Sequence, residues 1–413
     1  MNPSDTMEKV DTAMVNEKCL GHKSQRYYRQ LFGKASLRYQ LREFLLPYVR
    51  RESLYLHKIQ THTRRSWLDN YFSYSATLGT HVFFMLALPI FFWSGCINFT
   101  LDITQLFAAG VYVSGIVKDF LCLPRPLSPP LIRLTLSSDA ECEYGFPSTH
   151  TTNAVSTGCY SIFFLISVKD SISPLKFSSL LLLSLVYIFS ISLGRIYCGM
   201  HGFMDVSVGS LMGLFLACIQ WKYGDLFHSI CTSASFHVPI GVAALSLYLI
   251  WLHPLPAEQC ICIDDSISFV SVIMGIDMGT WLSSPESINY LISDINAFFL
   301  IRFMLRVIFG VTMILFWKSF AKQVLLSVLP QIYKTLRIGH WQSSSGSKGI
   351  HAASGSSHVL GTTKTPLGNV SAHECYENPS CFDSETMARI IIYAGIGFLS
   401  TYFAPIVFRC WRI

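Results

Sequence analysis

The chain has 413 residues, of which 51% are hydrophobic and only 14% are charged. Ordinary soluble domains carry about 25% charged residues, so this composition excludes a soluble globular protein. The net charge of +6 is modest, and its basic residues are concentrated near the N-terminus among apolar ones. We therefore expect a membrane protein with no nucleic-acid partner.

The composition of residues 1–70 predicts a basic N-terminal segment that is cytosolic or lies at the membrane interface. Most of the excess positive charge falls within residues 18–65, where Leu41, Phe44 and Leu45 separate the basic side chains. Basic helices of this kind bind the surface of an anionic leaflet. The segment has no apolar core long enough for a cleavable signal peptide.

Nine apolar segments follow, each near the roughly 20 residues that a membrane-crossing helix requires. Backbone amides in lipid must be satisfied within the segment, so each is predicted to be helical. The seventh is the weakest, because Ser268, Ser271 and Asp277 interrupt it, and a helix lining a cavity explains it equally well. The predicted spans are residues 74–95, 104–121, 151–168, 176–194, 202–220, 235–252, 266–283, 299–317 and 389–408.

The predicted fold is therefore all-α, a polytopic transmembrane helical bundle. Residues 71–222 form a core that carries three polar motifs, and residues 223–413 add further helices. Within the second part, residues 340–386 are rich in Ser, Gly and Thr without a hydrophobic period. We predict a flexible loop there.

The first polar motif, Lys118 to Pro126, ends the second predicted span. Lys118 and Arg125 are seven residues apart, about two helical turns, so both fit on one face. Pro124 and Pro126 end the helix. Taken alone, a basic helix end reaching into lipid headgroups explains this motif as well as an anion site does.

The second motif, Gly145 to His150, leads directly into the third span and thus lies at a helix N-terminus. Free amides and the helix dipole favour an anion there, with the Ser148 and Thr149 hydroxyls as further donors. Simple helix capping by either hydroxyl is the alternative, and it is compatible with anion contact. His150 is suited to donate a proton to a leaving alkoxide.

The third motif contains Arg195, His201 and Asp205. The last two are four residues apart and share a helical face. Asp205 can then accept the Nδ1 proton of His201, which leaves Nε2 free to attack phosphorus. A structural His–Asp pair is the alternative, but a nearby arginine at the membrane edge favours function.

Together the motifs predict phosphate ester hydrolysis without a metal or other cofactor. Lys118, Arg125 and Arg195 would surround the phosphoryl oxygens with positive charge, the role that metals fill elsewhere. A zinc site is not expected, because Cys260 and Cys262 are one residue apart and no adjoining Cys/His pair completes it.

The motifs K-x6-R-P, P-S-x-H and R-x5-H-x3-D, in this order, resemble those of the type 2 phosphatidic acid phosphatase superfamily. The stretches FLCLPRPLSPPLIRLTLSS, EYGFPSTHTTNA and GRIYCGMHGFMD more closely resemble the sphingosine-1-phosphate phosphatase branch. The resemblance implies a six-helix-type lipid phosphatase core with additional C-terminal helices. It also implies a membrane lipid substrate, a sphingoid long-chain base 1-phosphate, cleaved to the free base and phosphate.

The resemblance further implies a role for each motif residue. His201 is the nucleophile that forms a phosphohistidine, His150 is the general acid, and Asp205 orients His201. The residues implied to bind phosphate are Lys118, Arg125, Ser148, Thr149 and Arg195. The family pattern also implies an endoplasmic reticulum membrane protein whose site faces the lumen.

Two alternatives remain open at this point. The enzyme could be a broader lipid phosphate phosphatase or a phosphotransferase, since an alcohol can also resolve a phosphohistidine. A non-catalytic transporter or scaffold is the other alternative.

The predicted spans place the motifs on the same side of the membrane as the N-terminus, whereas the basic N-terminal residues favour the cytosol. The sequence predicts no oligomeric state.

Overall fold

The computed structural model describes residues 20–136, 143–233, 235–258, 260–283, 291, 299–336 and 382–412. Regular structure within these ranges is helical throughout. In chain order the α-helices are α1 Gln25–Phe32, α2 Leu37–Thr63, α3 Ser66–Ser75, α4 His81–Trp93, α5 Ile97–Leu121, α6 Thr149–Ser167, α7 Pro174–Tyr197, α8 Phe203–Cys231, α9 His237–Leu252, α10 Cys262–Leu282, α11 Phe299–Leu336, α12 Ser384–Phe398 and α13 Ala404–Trp411.

Each of the nine predicted apolar segments falls on helical structure, which confirms the all-α prediction. Fewer of them qualify as membrane spans. In the part of the chain that the structure describes, five helical units are long and apolar enough, namely α5, α7, α8, α11 and the continuous unit of α12 and α13. A sixth is obtained if Ser66–Gly79 and Phe83–Trp93, bent by 61°, count as one span. The sequence predicted nine spans, whereas five or six helical units of the described residues have the length and composition of a span.

The helices that fail this test as too polar, α6 and α10, lie inside the bundle rather than against lipid. Along α6, Thr152 and Ser156 are buried, and α8 approaches closely because Gly213 lacks a side chain. A Cβ at Gly213 would lie 2.5 Å from the Thr152 carbonyl oxygen. Small residues at helix contacts allow such close approach in membranes. These helices face protein, so hydropathy alone misjudges them.

The long N-terminal helix α2 lies across the end of α5 that carries the first motif. Arg38 donates to the Phe120 carbonyl at 2.6 Å, and the fully buried Arg42 donates to the Leu121 carbonyl at 3.1 Å. The last carbonyls of a helix lack partners within it, and cations are favourable there. The N-terminal helices and the motifs are thus on the same side of the bundle.

The predicted loop at 340–386 falls almost wholly outside the described residues, apart from its last few positions. The eighth predicted span, 299–317, is the first half of a much longer helix, since α11 continues to Leu336. The apolar pattern ends near residue 317 while the helix continues through more polar residues. Hydropathy therefore located the span but not the end of the helix.

Candidate active site

The three motifs meet at one end of the bundle around a cavity of about 440 Å³, which we call the polar cavity. The ends of α5 and α7 and the start of α6 contribute to its wall. Ser148 and Asp205 lie behind the wall, both fully buried. The predicted site residues that line the polar cavity are Lys118, Arg125, Thr149, His150, Arg195 and His201.

Three cations converge on the polar cavity. Lys118 lies in the last turn of α5 and Arg195 in the last turn of α7, and Arg125 follows α5. All three side chains are buried, and Nε of Arg195 has no hydrogen-bond partner among the described residues. Buried charge without compensation is unfavourable. An anionic ligand in the cavity would relieve this cost.

Close backbone packing brings the first motif to the second. Cys122 ends α5 in a left-handed conformation with φ 51°, so the chain turns away from the helix axis. Gly145 then donates its amide hydrogen to the Leu123 carbonyl at 2.9 Å. A Cβ at Gly145 would lie 2.6 Å from the Pro124 carbonyl oxygen, so only glycine permits this approach. Arg125 is thereby held near the N-terminus of α6.

His201 lies in the turn between α7 and α8 and has a charged side chain close to each ring nitrogen, although Nδ1 meets no hydrogen-bond criterion among the described residues. Its Nδ1 is 3.4 Å from Oδ2 of Asp205, and its Nε2 is 3.1 Å from a guanidinium nitrogen of Arg125. Arginine can only donate, so Nε2 is the acceptor and the ring proton lies on Nδ1, toward Asp205. This is the tautomer required for attack through Nε2.

The protonation state of His201 also suits a nucleophile. Burial, together with the charges of Arg125 and Lys118, lowers the pKa of His201 well below its usual range. The imidazole is therefore neutral near pH 7, and its lone pair is available. Asp205 is itself held in place, because its Oδ2 accepts from the Gly202 amide at 2.8 Å.

The two hydroxyl residues of the second motif, Ser148 and Thr149, have different roles in the structure. Ser148 caps α6, with its Oγ 3.4 Å from the Thr151 amide, and it does not line the polar cavity. Its amide donates to the Asp205 carbonyl at 3.1 Å, which joins the second motif to the third. Thr149 lines the cavity, and its hydroxyl accepts from Ser114 at 2.9 Å. Phosphate contact by Ser148 stays a prediction.

Sequence reasoning missed Glu143, which bridges two of the cations. One of its carboxylate oxygens contacts Nζ of Lys118, and the other is 2.5 Å from a guanidinium nitrogen of Arg125. Burial alone would raise the pKa of Glu143, but the charges of Lys118 and Arg125 lower it to about 2. In the sequence, Glu143 is visible only as an acidic residue just before the second motif. The spacing of the motifs does not indicate that it contacts Lys118 and Arg125.

A separate buried cluster has the composition of a metal site. Asp119, Cys260 and Cys262 each offer a ligand atom, and these atoms all lie within 4.8 Å of one another. The sequence did not indicate that Asp119 would join the two cysteines, because residues 119 and 260 are far apart along the chain. Independence of the reaction from metal stays a prediction.

Comparison with known proteins first gives the class. The profile of the PAP2 superfamily matches residues 99–228, which contain all three motifs. With the helical bundle and the cation-lined cavity, this match defines the chain as a membrane-embedded phosphatase of that superfamily.

Longer alignments then give the family. The chain is 62% identical to a dihydrosphingosine 1-phosphate phosphatase of Schizosaccharomyces pombe over 399 residues, 96% of this chain and 97% of that protein. It is 30% identical to the Saccharomyces cerevisiae dihydrosphingosine 1-phosphate phosphatase YSR3, across 90% of this chain and 87% of YSR3. Mouse sphingosine-1-phosphate phosphatase 2 is 28% identical, across 65% of this chain and 78% of the mouse protein. The chain belongs to the sphingosine-1-phosphate phosphatase family, as its motifs predicted. No solved structure matches it.

Proposed function

We propose that the chain dephosphorylates sphingoid long-chain base 1-phosphates, such as dihydrosphingosine 1-phosphate, to the free base and inorganic phosphate. The observation that carries this proposal is a buried histidine whose Nε2 lies 3.1 Å from a guanidinium nitrogen of Arg125, in a cavity that Lys118 and Arg195 also line. Such a constellation suits attack on a phosphorus atom whose oxygens are held by positive charge. The names of its relatives support the choice of lipid.

In the first step, Nε2 of His201 attacks phosphorus and the bond to the lipid oxygen breaks. His150 donates a proton to that oxygen, so the free base leaves as an alcohol. The product on the enzyme is a phosphohistidine. Lys118, Arg125 and Arg195 stabilise the charge that spreads over the phosphoryl oxygens.

In the second step, water attacks the phosphohistidine. His150, now neutral, takes a proton from this water, and the P–N bond breaks to release phosphate and neutral His201. Asp205 keeps the Nδ1 proton of His201 in place through both steps. Each proton and bond is thereby accounted for without a further reactant.

The test is phosphate release by the full chain in the presence of EDTA, with dihydrosphingosine 1-phosphate and phosphatidic acid as substrates. We expect release from the sphingoid substrate and its loss in His201→Ala. The matched control is His237→Ala, because His237 is an exposed histidine at the start of α9. Equal release from both lipids would reduce the proposal to a general lipid phosphatase, and full activity of His201→Ala would refute the nucleophile.

We further propose an endoplasmic reticulum membrane location with the site facing the lumen. The basic N-terminal residues favoured the cytosol in the sequence, but Arg38 and Arg42 donate hydrogen bonds to carbonyls of the bundle and are not available to an anionic leaflet. Their charges therefore carry less topological weight. Protease treatment of sealed microsomes should spare an N-terminal tag, and its removal from intact vesicles would contradict lumenal orientation.

A further inference from the structure

Three side chains of metal-binding type meet beside the polar cavity, and we call them the Asp–Cys cluster: Asp119, Cys260 and Cys262. Each offers one ligand atom, and these atoms all lie within 4.8 Å of one another. The two sulfur atoms are 2.7 Å apart, and all three side chains are buried. Zinc takes its sulfur and oxygen ligands at about 2.0–2.3 Å, so a single ion between these atoms is within reach of all three.

The carboxylate of Asp119 is the group that points to a ligand. Its side chain is fully buried, and neither of its oxygens has a hydrogen-bond partner among the described residues. His253 approaches it, with Nδ1 3.9 Å from Oδ2 of Asp119. Both ring nitrogens of His253 have closer partners, however, at 3.1 Å from the Pro254 carbonyl and from Oγ of Ser266. A buried carboxylate without hydrogen bonds is unfavourable, and a bound cation would offset this cost.

The contact between α5 and α10 brings the cluster together. A Cβ at Gly115 of α5 would lie 2.5 Å from Oγ of Ser266 on α10, so glycine permits the close approach. Asp119 lies about one turn farther along α5, and α10 begins at Cys262. The cluster therefore joins the last turn of α5, which also carries Lys118, to the start of α10.

Hydrogen bonds from other parts of the chain hold the segment that leads to the two cysteines. The hydroxyl of Tyr27 on α1 donates to the Ala257 carbonyl at 2.9 Å. The Glu258 amide donates to the hydroxyl of Tyr144, next to the second motif, at 3.1 Å. Ligands that are held in place before an ion arrives lower the cost of binding it. The cluster is thus supported from outside its own three residues.

The types of ligand select the ion. Thiolates favour zinc, copper(I) and iron–sulfur clusters, whereas carboxylates suit harder ions such as magnesium and calcium. Zinc accepts both sulfur and carboxylate oxygen, and sites with three protein ligands commonly add a water. We propose that the Asp–Cys cluster binds one Zn²⁺ through both thiolates and one oxygen of Asp119, with water as the fourth ligand. Binding releases the two thiol protons to solvent.

The ion in this site is structural. Cys262 lines the polar cavity, but Asp119 and Cys260 do not, so the ion lies behind the wall and does not contact the phosphate. By tying the end of α5 to α10 it fixes the turn that carries Lys118. Phosphate release in EDTA therefore tests the reaction, whereas the metal content of the protein tests this site.

The experiment measures zinc by plasma mass spectrometry in the full chain, purified in detergent through a tag without histidine. We expect about one zinc per chain in the wild type, and close to none in Asp119→Asn and in Cys262→Ser. The matched control is Cys231→Ser, because Cys231 is a buried free cysteine on α8 outside the cluster. This variant should keep the ion.

A second measurement needs no variant. In wild-type protein with cobalt in place of zinc, bonds to thiolate should give a sulfur-to-cobalt charge-transfer absorption band. The absence of this band would overturn the inference even if the variants of the cluster fail to fold. Size-exclusion chromatography of each variant shows whether it has folded.

Three results of the zinc measurement would also overturn the inference. A folded wild type without zinc and with both thiols free would mean that Asp119 is protonated beside two thiols. A disulfide between Cys260 and Cys262 would appear as two thiols that react with an alkylating reagent only after reduction. Unchanged zinc in folded Asp119→Asn and Cys262→Ser would place the ion elsewhere in the protein.

Discussion

The polar cavity and the contact between α10 and α12 are built by opposite means. The polar cavity collects buried charge, including Lys118, Arg125 and Arg195, and leaves Nε of Arg195 without a described partner. The α10–α12 contact uses glycine: a Cβ at Gly275 would overlap the carbonyl oxygen of Ala394. Ligand binding can offset buried charge, whereas close packing stabilises the fold directly.

In this bundle, the residues that bind the anion therefore differ from the residues that stabilise the fold. Changes in the polar cavity should alter turnover and anion binding while the protein still folds. Changes in the helix contacts should alter the stability of the fold with no specific effect on the chemical step. Variants in each region can test that separation.

The largest effect is expected for Asp205→Asn. Asp205 lies 3.4 Å from Nδ1 of His201, and an amide no longer secures the tautomer that leaves Nε2 free. We expect kcat to fall about 10³- to 10⁴-fold, as for the comparable change in a Ser-His-Asp triad. The thermal midpoint should change little, since the asparagine oxygen can still accept from Gly202. A kcat within tenfold of wild type would show that Asp205 does not orient His201.

Gly275→Ala should destabilise the protein by about 1–3 kcal/mol, the usual cost of overpacking. The added methyl group would push α10 away from α12. Gly241→Ala is the matched control, because a Cβ at Gly241 meets nothing within 4 Å and alanine favours a helix. Thermal unfolding of both variants in one detergent gives the comparison. Equal thermal unfolding midpoints for the two variants would mean that α10 can move away from α12 without loss of stability.

Glu143→Gln should strengthen inhibition by vanadate, a phosphate mimic expected to inhibit the wild type at millimolar levels. The carboxylate competes with the anion for Lys118 and Arg125, so its neutralisation should lower the inhibitory concentration about tenfold. Because the pKa of Glu143 is about 2, the wild-type side chain stays ionised and this difference should persist from pH 5 to 8. Weaker inhibition of the variant would instead show that Glu143 holds Lys118 and Arg125 in position to bind the anion.

The smallest effect is expected for Val272→Phe, which narrows a mostly apolar cavity of about 140 Å³. We expect this cavity to receive the hydrocarbon chain of the substrate. We expect kcat/KM on a long-chain substrate to fall several-fold, up to about tenfold, with a smaller loss on a short-chain one. The control is Val186→Phe on α7, because Val186 is 46% exposed on the outer surface. Equal losses on both chain lengths would argue against this path for the hydrocarbon chain.

Local features of the sequence predicted most of the site. Lys118 and Arg195 end helices and Thr149 starts one, and helix ends are where polar groups reach the membrane edge. His201 and Asp205 share a face because their spacing matches the helical repeat. Each of these inferences depends on neighbours within one turn or two, which a sequence displays directly.

The remainder depends on contacts between distant parts of the chain. The bridge from Glu143 to Lys118 has no local signature, since it joins residues from two different parts of the chain. The number of spans is a related case, because the sequence predicted nine and five or six helical units of the described residues qualify by length and composition. Hydropathy rates α6 and α10 as too polar, but their polar residues face other helices and not lipid.

Apolar periodicity and motif spacing are local properties, so the sequence was sufficient to predict the helical membrane character, the three motifs and the family. The packing of the helices was needed to show which of them occupy the interior and that Glu143 bridges Lys118 and Arg125. The physical reason is that burial and charge pairing arise from the packing of whole helices against one another. That packing brings residues more than a hundred positions apart to within a few ångströms, as where the Trp93 indole donates to the Ser400 carbonyl.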